Sequence, residues 1–160
     1  MNDNWQKSQL QKIGDFECLV KEGRGRGPFV VLFHGYGADA SDLYSLHSYL
    51  NLSSHTSWVF PQGVLDVLIA PGMYGKAWFP IDVRALEAAM MTGSYRSMAK
   101  HKVSDHETVA RKAMEFYEVC RQKYSQVILG GFSQGAMLAT EIALSAKDKP
   151  LAIVVLSGTL

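Results

Sequence analysis

Cysteine is scarce in this chain of 160 residues, which argues against cysteine-based metal or redox sites and against a disulfide-stabilised framework. The two that occur, Cys18 and Cys120, lie far apart and match neither a metal-binding nor a redox spacing. Each falls in an apolar, periodic segment, so we expect two buried free thiols, as in a protein of a reducing compartment. A disulfide-stabilised extracellular framework is not indicated.

Net charge is nearly absent as well, because 16 basic residues against 15 acidic ones leave a formal charge of +1. Without a basic surface, nothing indicates a nucleic-acid partner. The polar amino terminus lacks the apolar stretch of a signal peptide, and no apolar run is long enough to cross a bilayer. We therefore expect no membrane span and a cytoplasmic location. The length and the 48% apolar content predict one globular domain over residues 1–160.

Short apolar runs alternate with amphipathic segments along the chain. The runs that predict strands are residues 16–20, 29–33, 57–60, 127–129 and 151–156, and the last of these should be buried. Helical spacing of apolar residues predicts helices over residues 41–50, from the capping box 104–107 onward, and over 136–144. Residues 64–99 are the least regular part, with a short helix at 84–91. The alternation predicts a three-layer α/β fold, with a mostly parallel sheet and helices on both faces.

The clearest chemical signal lies in residues 127–144. An apolar run leads into Gly131-Phe132-Ser133-Gln134-Gly135 and then into a nearly all-apolar helical segment. A strand, a tight turn and a helix in this order predict a nucleophile elbow, with the Ser133 hydroxyl raised at a strand's carboxyl end. Larger residues at Gly131 and Gly135 would collide across the turn. The motif is short enough to arise by chance, and the alternative is a glycine-rich turn in which Ser133 is an ordinary helix cap.

A serine nucleophile also needs backbone amides that bind the charge developing on the carbonyl oxygen of the substrate. One should be the amide of Gln134, directly after the serine at the amino end of a helix. The other should come from the loop after strand 29–33, and we predict the Tyr36 amide, with Gly35 allowing close backbone approach. A second interpretation makes His34 the catalytic base, although a ring within this loop should point away from Ser133.

Four segments together resemble the phospholipase/carboxylesterase family of α/β-hydrolases, which includes acyl-protein thioesterases and lysophospholipases. They are residues 32–39 (LFHGYGAD), 60–63 (FPQG), 77–82 (AWFPID) and 129–135 (LGGFSQG), in the order and spacing of that family. The resemblance extends roughly from residue 29 to the end. It implies serine esterase chemistry without a cofactor, in which a small-molecule ester, thioester or acylated substrate is hydrolysed through an acyl-serine intermediate. It also leaves a homodimer open.

By the same resemblance, Trp78 and Phe79 would line the substrate pocket beside the elbow, and simple core packing is an equal alternative. Residues 84–102 depart from the family pattern in their length and in their methionine content. They would form either an adaptable acyl-binding lid or, in the preferred interpretation, an ordinary surface helix.

The sequence also lacks the remaining members of a catalytic triad. The family's aspartate and histidine both follow the serine, but no histidine follows Ser133 here, and the one later aspartate, Asp148, precedes a strand. His106 is a poor substitute, because the start of its helix should face away from the elbow. Three explanations stay open: a C-terminally incomplete part of a longer hydrolase, a catalytically silent binding protein, or a base from another chain. The uncharged last strand favours the first, and the chain alone should be inactive or feeble.

Overall fold

The computed structural model describes residues 10–50, 52–81, 91 and 106–158. The main sheet of this part consists of β1 (Gln11–Ile13), β2 (Phe16–Lys21), β3 (Phe29–Phe33), β4 (Ser57–Pro61), β7 (Val127–Phe132) and β8 (Ala152–Leu156). Their spatial order is β1-β2-β4-β3-β7-β8. The four strands from β4 to β8 in this order run parallel, whereas β1 and β2 are antiparallel additions. The predicted mostly parallel sheet is therefore confirmed.

Alternate residues of β3 face two different apolar layers. Phe29, Val31 and Phe33 belong to a cluster that also contains residues from two helices, α2 (His106–Lys123) and α3 (Gln134–Ser145). Val30 and Leu32 belong to a second cluster on the other face. A strand buried on both faces needs an unbroken apolar run, which is what the sequence has at this point.

The second face is covered by residues 40–46 and the helix α1 (Leu46–Tyr49), which is much shorter than the predicted helix 41–50. The preceding residues form consecutive tight turns, with i-to-i+3 hydrogen bonds such as Leu46 N–H to the Leu43 carbonyl at 3.1 Å. The Asp39 carboxylate accepts bonds from both the amide and the hydroxyl of Ser41. Such local side-chain bonds compete with helical backbone bonds and favour turns.

Residues 64–77 are more regular than expected, because β5 (Leu65–Ala70) and β6 (Met73–Ala77) form an antiparallel hairpin. Pro71 and Gly72 make the turn, and Gly72 has a φ of +76° that favours glycine. Exposed apolar side chains interrupt the alternation that would have indicated these strands, as at Leu68, Ile69 and Tyr74. The helix predicted over 84–91 lies outside the described residues except for Met91, which is helical.

The long helix α2 agrees with its sequence pattern. The residues predicted to form its apolar stripe are all buried: Val109, Ala113, Phe116, Tyr117 and Cys120. Cys18 and Cys120 are both buried free thiols, as expected. Burial raises the pKa of Cys120 to about 12 and that of Cys18 further still, so neither thiol is a reactive nucleophile at neutral pH.

The last strand corrects a second expectation. β8 forms as predicted and pairs in parallel with β7, but all five of its residues are exposed, not buried. It is the outermost strand on its side of the described sheet. A continuous apolar run reports a strand, whereas burial depends on what packs against it.

Candidate active site

Ser133 has a strained backbone, as a nucleophile elbow would require. It lies between β7 and α3 with φ +50° and ψ −114°, a backbone conformation that residues other than glycine rarely adopt. Although it occupies the cap position of α3, its hydroxyl makes no capping hydrogen bond. Its amide donates to the Leu156 carbonyl of β8 at 2.8 Å, which holds the turn against the neighbouring strand. The geometry therefore disfavours the interpretation of Ser133 as an ordinary helix cap.

The two glycines of the motif are required by space. A Cβ at Gly131 would lie 2.4 Å from the carbonyl carbon of Gly135, across the turn. One at Gly135 would lie 2.2 Å from the Phe33 carbonyl oxygen and 2.5 Å from that of His34. The start of α3 is thus pressed against the end of β3, and both positions need glycine.

The loop after β3 lies beside the elbow at the carboxyl edge of the sheet. β3 and β7 are parallel neighbours in which Phe33 pairs with Gly131, so both chains leave the sheet at the same level. A Cβ at Gly35 would lie 2.9 Å from the ring of Phe132, so this position has no room for a larger residue. Within the described part of the chain, the backbone amides of Tyr36 and Gln134 donate no hydrogen bond. Neither N–H group therefore has a described hydrogen-bond acceptor within the protein.

The same loop is fastened to the β5–β6 hairpin. The Gly37 amide donates to the Lys76 carbonyl at 2.8 Å, and the Lys76 amide donates to the Ala38 carbonyl at 2.7 Å. A Cβ at Gly75 would overlap the Gly37 carbonyl oxygen, so the two backbones are in direct contact. The hairpin thus holds the loop that carries Tyr36. This contact was not predicted from the sequence.

Trp78 and Phe79 lie in the core with essentially no exposed surface. The Trp78 ring packs edge to face against Phe16 and Phe33. The buried side chain of Gln134 binds this segment twice: its Oε1 accepts from the Trp78 amide at 2.9 Å, and its Nε2 donates to the Phe79 carbonyl at 2.7 Å. The described contacts of both aromatic residues are those of core packing. This role of the Gln134 side chain was not predicted from the sequence, because nothing in the local pattern identifies its distant partner.

His34 is fully engaged by backbone groups. Its Nδ1 lies 2.7 Å from the Gly35 carbonyl, which only an N–H can satisfy, and its Nε2 accepts from the Gly63 amide at 2.9 Å. These partners define a neutral ring with its proton on Nδ1. Burial lowers its pKa, and the bond to Gly35 opposes this only in part. Both nitrogens are occupied, so this ring cannot act as the base in the described arrangement.

These features can be compared with known proteins. A model of the phospholipase/carboxylesterase family matches residues 17–160, which is most of the chain. The chain belongs to this family. Similar solved structures include esterase PE8 (26% identity, TM-score 0.69), a carboxylesterase from Mesorhizobium loti (16%, 0.67) and acyl-protein thioesterase 2 from Zea mays (19%, 0.60). Together they place the chain in the three-layer α/β-hydrolase fold.

The matches cover most of this chain but only part of the other proteins. Esterase PE8, the Mesorhizobium loti carboxylesterase and the maize thioesterase are matched over 88%, 94% and 89% of this chain. The same alignments cover 63%, 64% and 62% of those proteins. The chain therefore spans a little less than two thirds of their length.

The remaining described histidines, like His34, have partners other than Ser133. His47 and His55 contact the carbonyls of Tyr44 and Arg24 through Nδ1. The Nε2 of His106 lies 3.0 Å from a carboxylate oxygen of Glu141 in α3, and its ring packs edge to face with Phe79. None of the four described histidines hydrogen-bonds Ser133.

The described residues also limit metal and membrane hypotheses. Among them, no three histidine, cysteine or carboxylate side chains are grouped as metal ligands would be. Every helix in these ranges is too short or too polar to cross a bilayer.

Proposed function

We propose that this chain carries the nucleophile and the oxyanion donors of a serine hydrolase that cleaves carboxylic esters or thioesters through an acyl-serine intermediate. Ser133 would attack the acyl carbon, and the Tyr36 and Gln134 amides would bind the oxygen that becomes negatively charged. The observation that carries the proposal is the strained Ser133 backbone with its hydroxyl uncommitted to a cap. Such strain costs free energy, and strained residues cluster at functional sites.

The position of the two amides supports this assignment. Both lie in loops that leave adjacent parallel strands, where ligands bind in open α/β sheets. Gln134 is the first residue of α3, so its N–H adds the favourable field of a helix amino end. Gly35 would let the loop pack against Phe132, next to Ser133 in the sequence. Trp78 and Phe79 would shape the pocket from behind, because the Gln134 side chain holds their backbone.

Turnover requires a general base and an acid that orients it, and neither is found beside Ser133 among the described residues. We propose that both are supplied by residues outside the described ranges, in the same protein or in another chain. Oxyanion binding alone leaves about a thousand- to ten-thousand-fold acceleration over water in hydrolases stripped of their triad. A cytoplasmic site of action stays a prediction from the sequence.

A second function is favoured by one observation, the engagement of His34 and the other described histidines away from Ser133. In that case the same loops would bind an ester or an acylated partner without cleaving it. The two functions differ in the reactivity of the Ser133 hydroxyl.

The test is labelling of Ser133 with a small fluorophosphonate, followed by intact mass and peptide mapping. We expect the folded chain to react faster than the same chain unfolded in urea, because the two amides would stabilise the charged oxygen on phosphorus. Ser133→Ala should abolish labelling. Ser157→Ala is the matched control, since Ser157 is exposed, directly follows a neighbouring strand and, like Ser133, has a positive φ (+51°).

Equal rates in folded and unfolded protein would refute an active nucleophile in this chain. Binding of a non-hydrolysable ester analogue to that same unreactive protein would favour the binding function. Labelling that persists in Ser133→Ala but disappears in Ser157→Ala would assign the nucleophile to Ser157, directly after β8.

A further inference from the structure

The Gly35 carbonyl and the Tyr36 N–H belong to one peptide group. The described chain contains no cis peptide bond, so this carbonyl and this N–H point in opposite directions. Whatever holds the Gly35 oxygen therefore also sets the direction of the Tyr36 N–H. The strongest described contact of that oxygen is the Nδ1 of His34 at 2.7 Å.

The His34 ring is itself held in one tautomer and one orientation. The Gly63 amide donates to Nε2, which leaves Nδ1 as the nitrogen that carries the proton. The ring is 1% exposed, and it lies 5.1 Å from the ring of Trp78, centroid to centroid. The Trp78 indole N–H donates to the His34 carbonyl at 2.8 Å. Both the side chain and the backbone of His34 thus have fixed partners.

We propose that His34 is a positioning residue: its Nδ1–H holds the Gly35–Tyr36 peptide so that the Tyr36 N–H faces the acyl oxygen of a substrate on Ser133. The inference rests on the proposed function in taking the Tyr36 amide as an oxyanion donor. It differs from the interpretation of His34 as a base, because no proton is transferred and the ring touches no reacting atom.

A competing arrangement is present in the same loop. The Ala38 amide also approaches the Gly35 carbonyl, at 3.3 Å, as part of the turn. That contact is longer and weaker than the bond from His34. If the turn alone sufficed, the imidazole would be only a packed core group, and the experiment must separate these two cases.

Two substitutions of His34 each remove one of the two hydrogen bonds of the ring and keep the other. In His34→Asn, the side-chain nitrogen takes about the place of Nδ1, so the bond to the Gly35 carbonyl survives and that to the Gly63 amide is lost. In His34→Gln, the side-chain oxygen takes about the place of Nε2, so the Gly63 bond survives and the Gly35 bond is lost. Each variant removes one buried hydrogen bond and some ring packing, so their urea midpoints should fall by similar amounts.

The first readout is the rate of Ser133 labelling by the fluorophosphonate, relative to the folded wild type. Deleting an oxyanion donor typically slows a reaction by about a hundred- to a thousand-fold, so misdirecting one should slow His34→Gln by about ten-fold or more. His34→Asn should stay within about three-fold of wild type. Equal rates for the two variants, at similar stability, would overturn the proposal in favour of simple packing.

The second readout needs no reactivity, so it also applies if wild-type Ser133 proves unreactive and the proposed function fails. In ¹⁵N–¹H spectra, the Tyr36 amide resonance should move in His34→Gln and stay near its wild-type position in His34→Asn. Equal displacement in both variants would contradict the positioning role. If a variant does not fold, the imidazole ¹⁵N shifts of the wild type decide, because a proton on Nε2 instead of Nδ1 would overturn the proposal.

Discussion

The side chain of Gln134 offers a quantitative test of how the site is held together. The change is Gln134→Met, which keeps the length and nearly the volume of the side chain but removes both polar groups. Gln134 is 1% exposed. Its side-chain amide is the described partner of the backbone N–H of Trp78 and of the backbone carbonyl of Phe79. A buried N–H or carbonyl without a partner costs about 1–3 kcal/mol, so the two together should cost about 2–6 kcal/mol.

The assay is urea unfolding followed by tryptophan fluorescence, with the free energy of unfolding from linear extrapolation. The matched control is Tyr117→Phe, which removes a single, partly buried bond of 2.7 Å from the hydroxyl of the buried Tyr117 to the carbonyl of the exposed Asp148. Only one bond is lost and its acceptor belongs to an exposed residue, so the control should lose only about 1 kcal/mol. A loss in Gln134→Met no larger than that of the control would refute the argument that the clamp stabilises the fold.

Two further predictions concern pH and self-association. Burial lowers the pKa of His34, so as the pH falls the imidazole is protonated in the unfolded chain before it is protonated in the folded one. The contribution of His34 to the free energy of unfolding is therefore fully present above about pH 6.5 and decreases below it. Urea titrations from pH 8 to 5 should show a slope of up to about 1.4 kcal/mol per pH unit from this group, and an equal slope in His34→Asn would exclude it. Because β8 is an exposed, uncharged outer strand, Val155→Lys should reduce concentration-dependent association in sedimentation velocity. Val119→Lys, at a similarly exposed residue of α2, should leave association unchanged, and equal effects would mean that β8 is not the contact.

The elements that the sequence predicted well are those whose signal is local. β3 is an unbroken apolar run because both of its faces are buried, and α2 has its apolar residues at helical spacing because one side packs on the sheet. Gly131 could be assigned to the turn because its steric need is local, whereas the need for glycine at Gly135 comes from the end of β3, which is distant in the chain. The family resemblance joined these local signals into the correct fold.

The elements that were missed depend on partners distant in the chain. The β5–β6 hairpin carries exposed apolar residues that hide its alternation, and the predicted helix at 41–50 was overridden by the bonds of Asp39. The strand β8 was expected to be buried because its composition is apolar. Composition cannot report burial, which depends on what packs against the strand in three dimensions.

For the site, the order of the parts follows from the local sequence: a strand, a strained serine and a helix, after a loop rich in glycine. How those parts are held depends on the folded chain, because Gln134 bonds to Trp78 and Phe79, 56 and 55 residues earlier, and His34 bonds to Gly63, 29 residues later. Hydrogen bonds over such separations leave no periodic trace, since any polar residue at the right place in space can make them. They arise when parallel strands bring separate loops to one edge of a sheet.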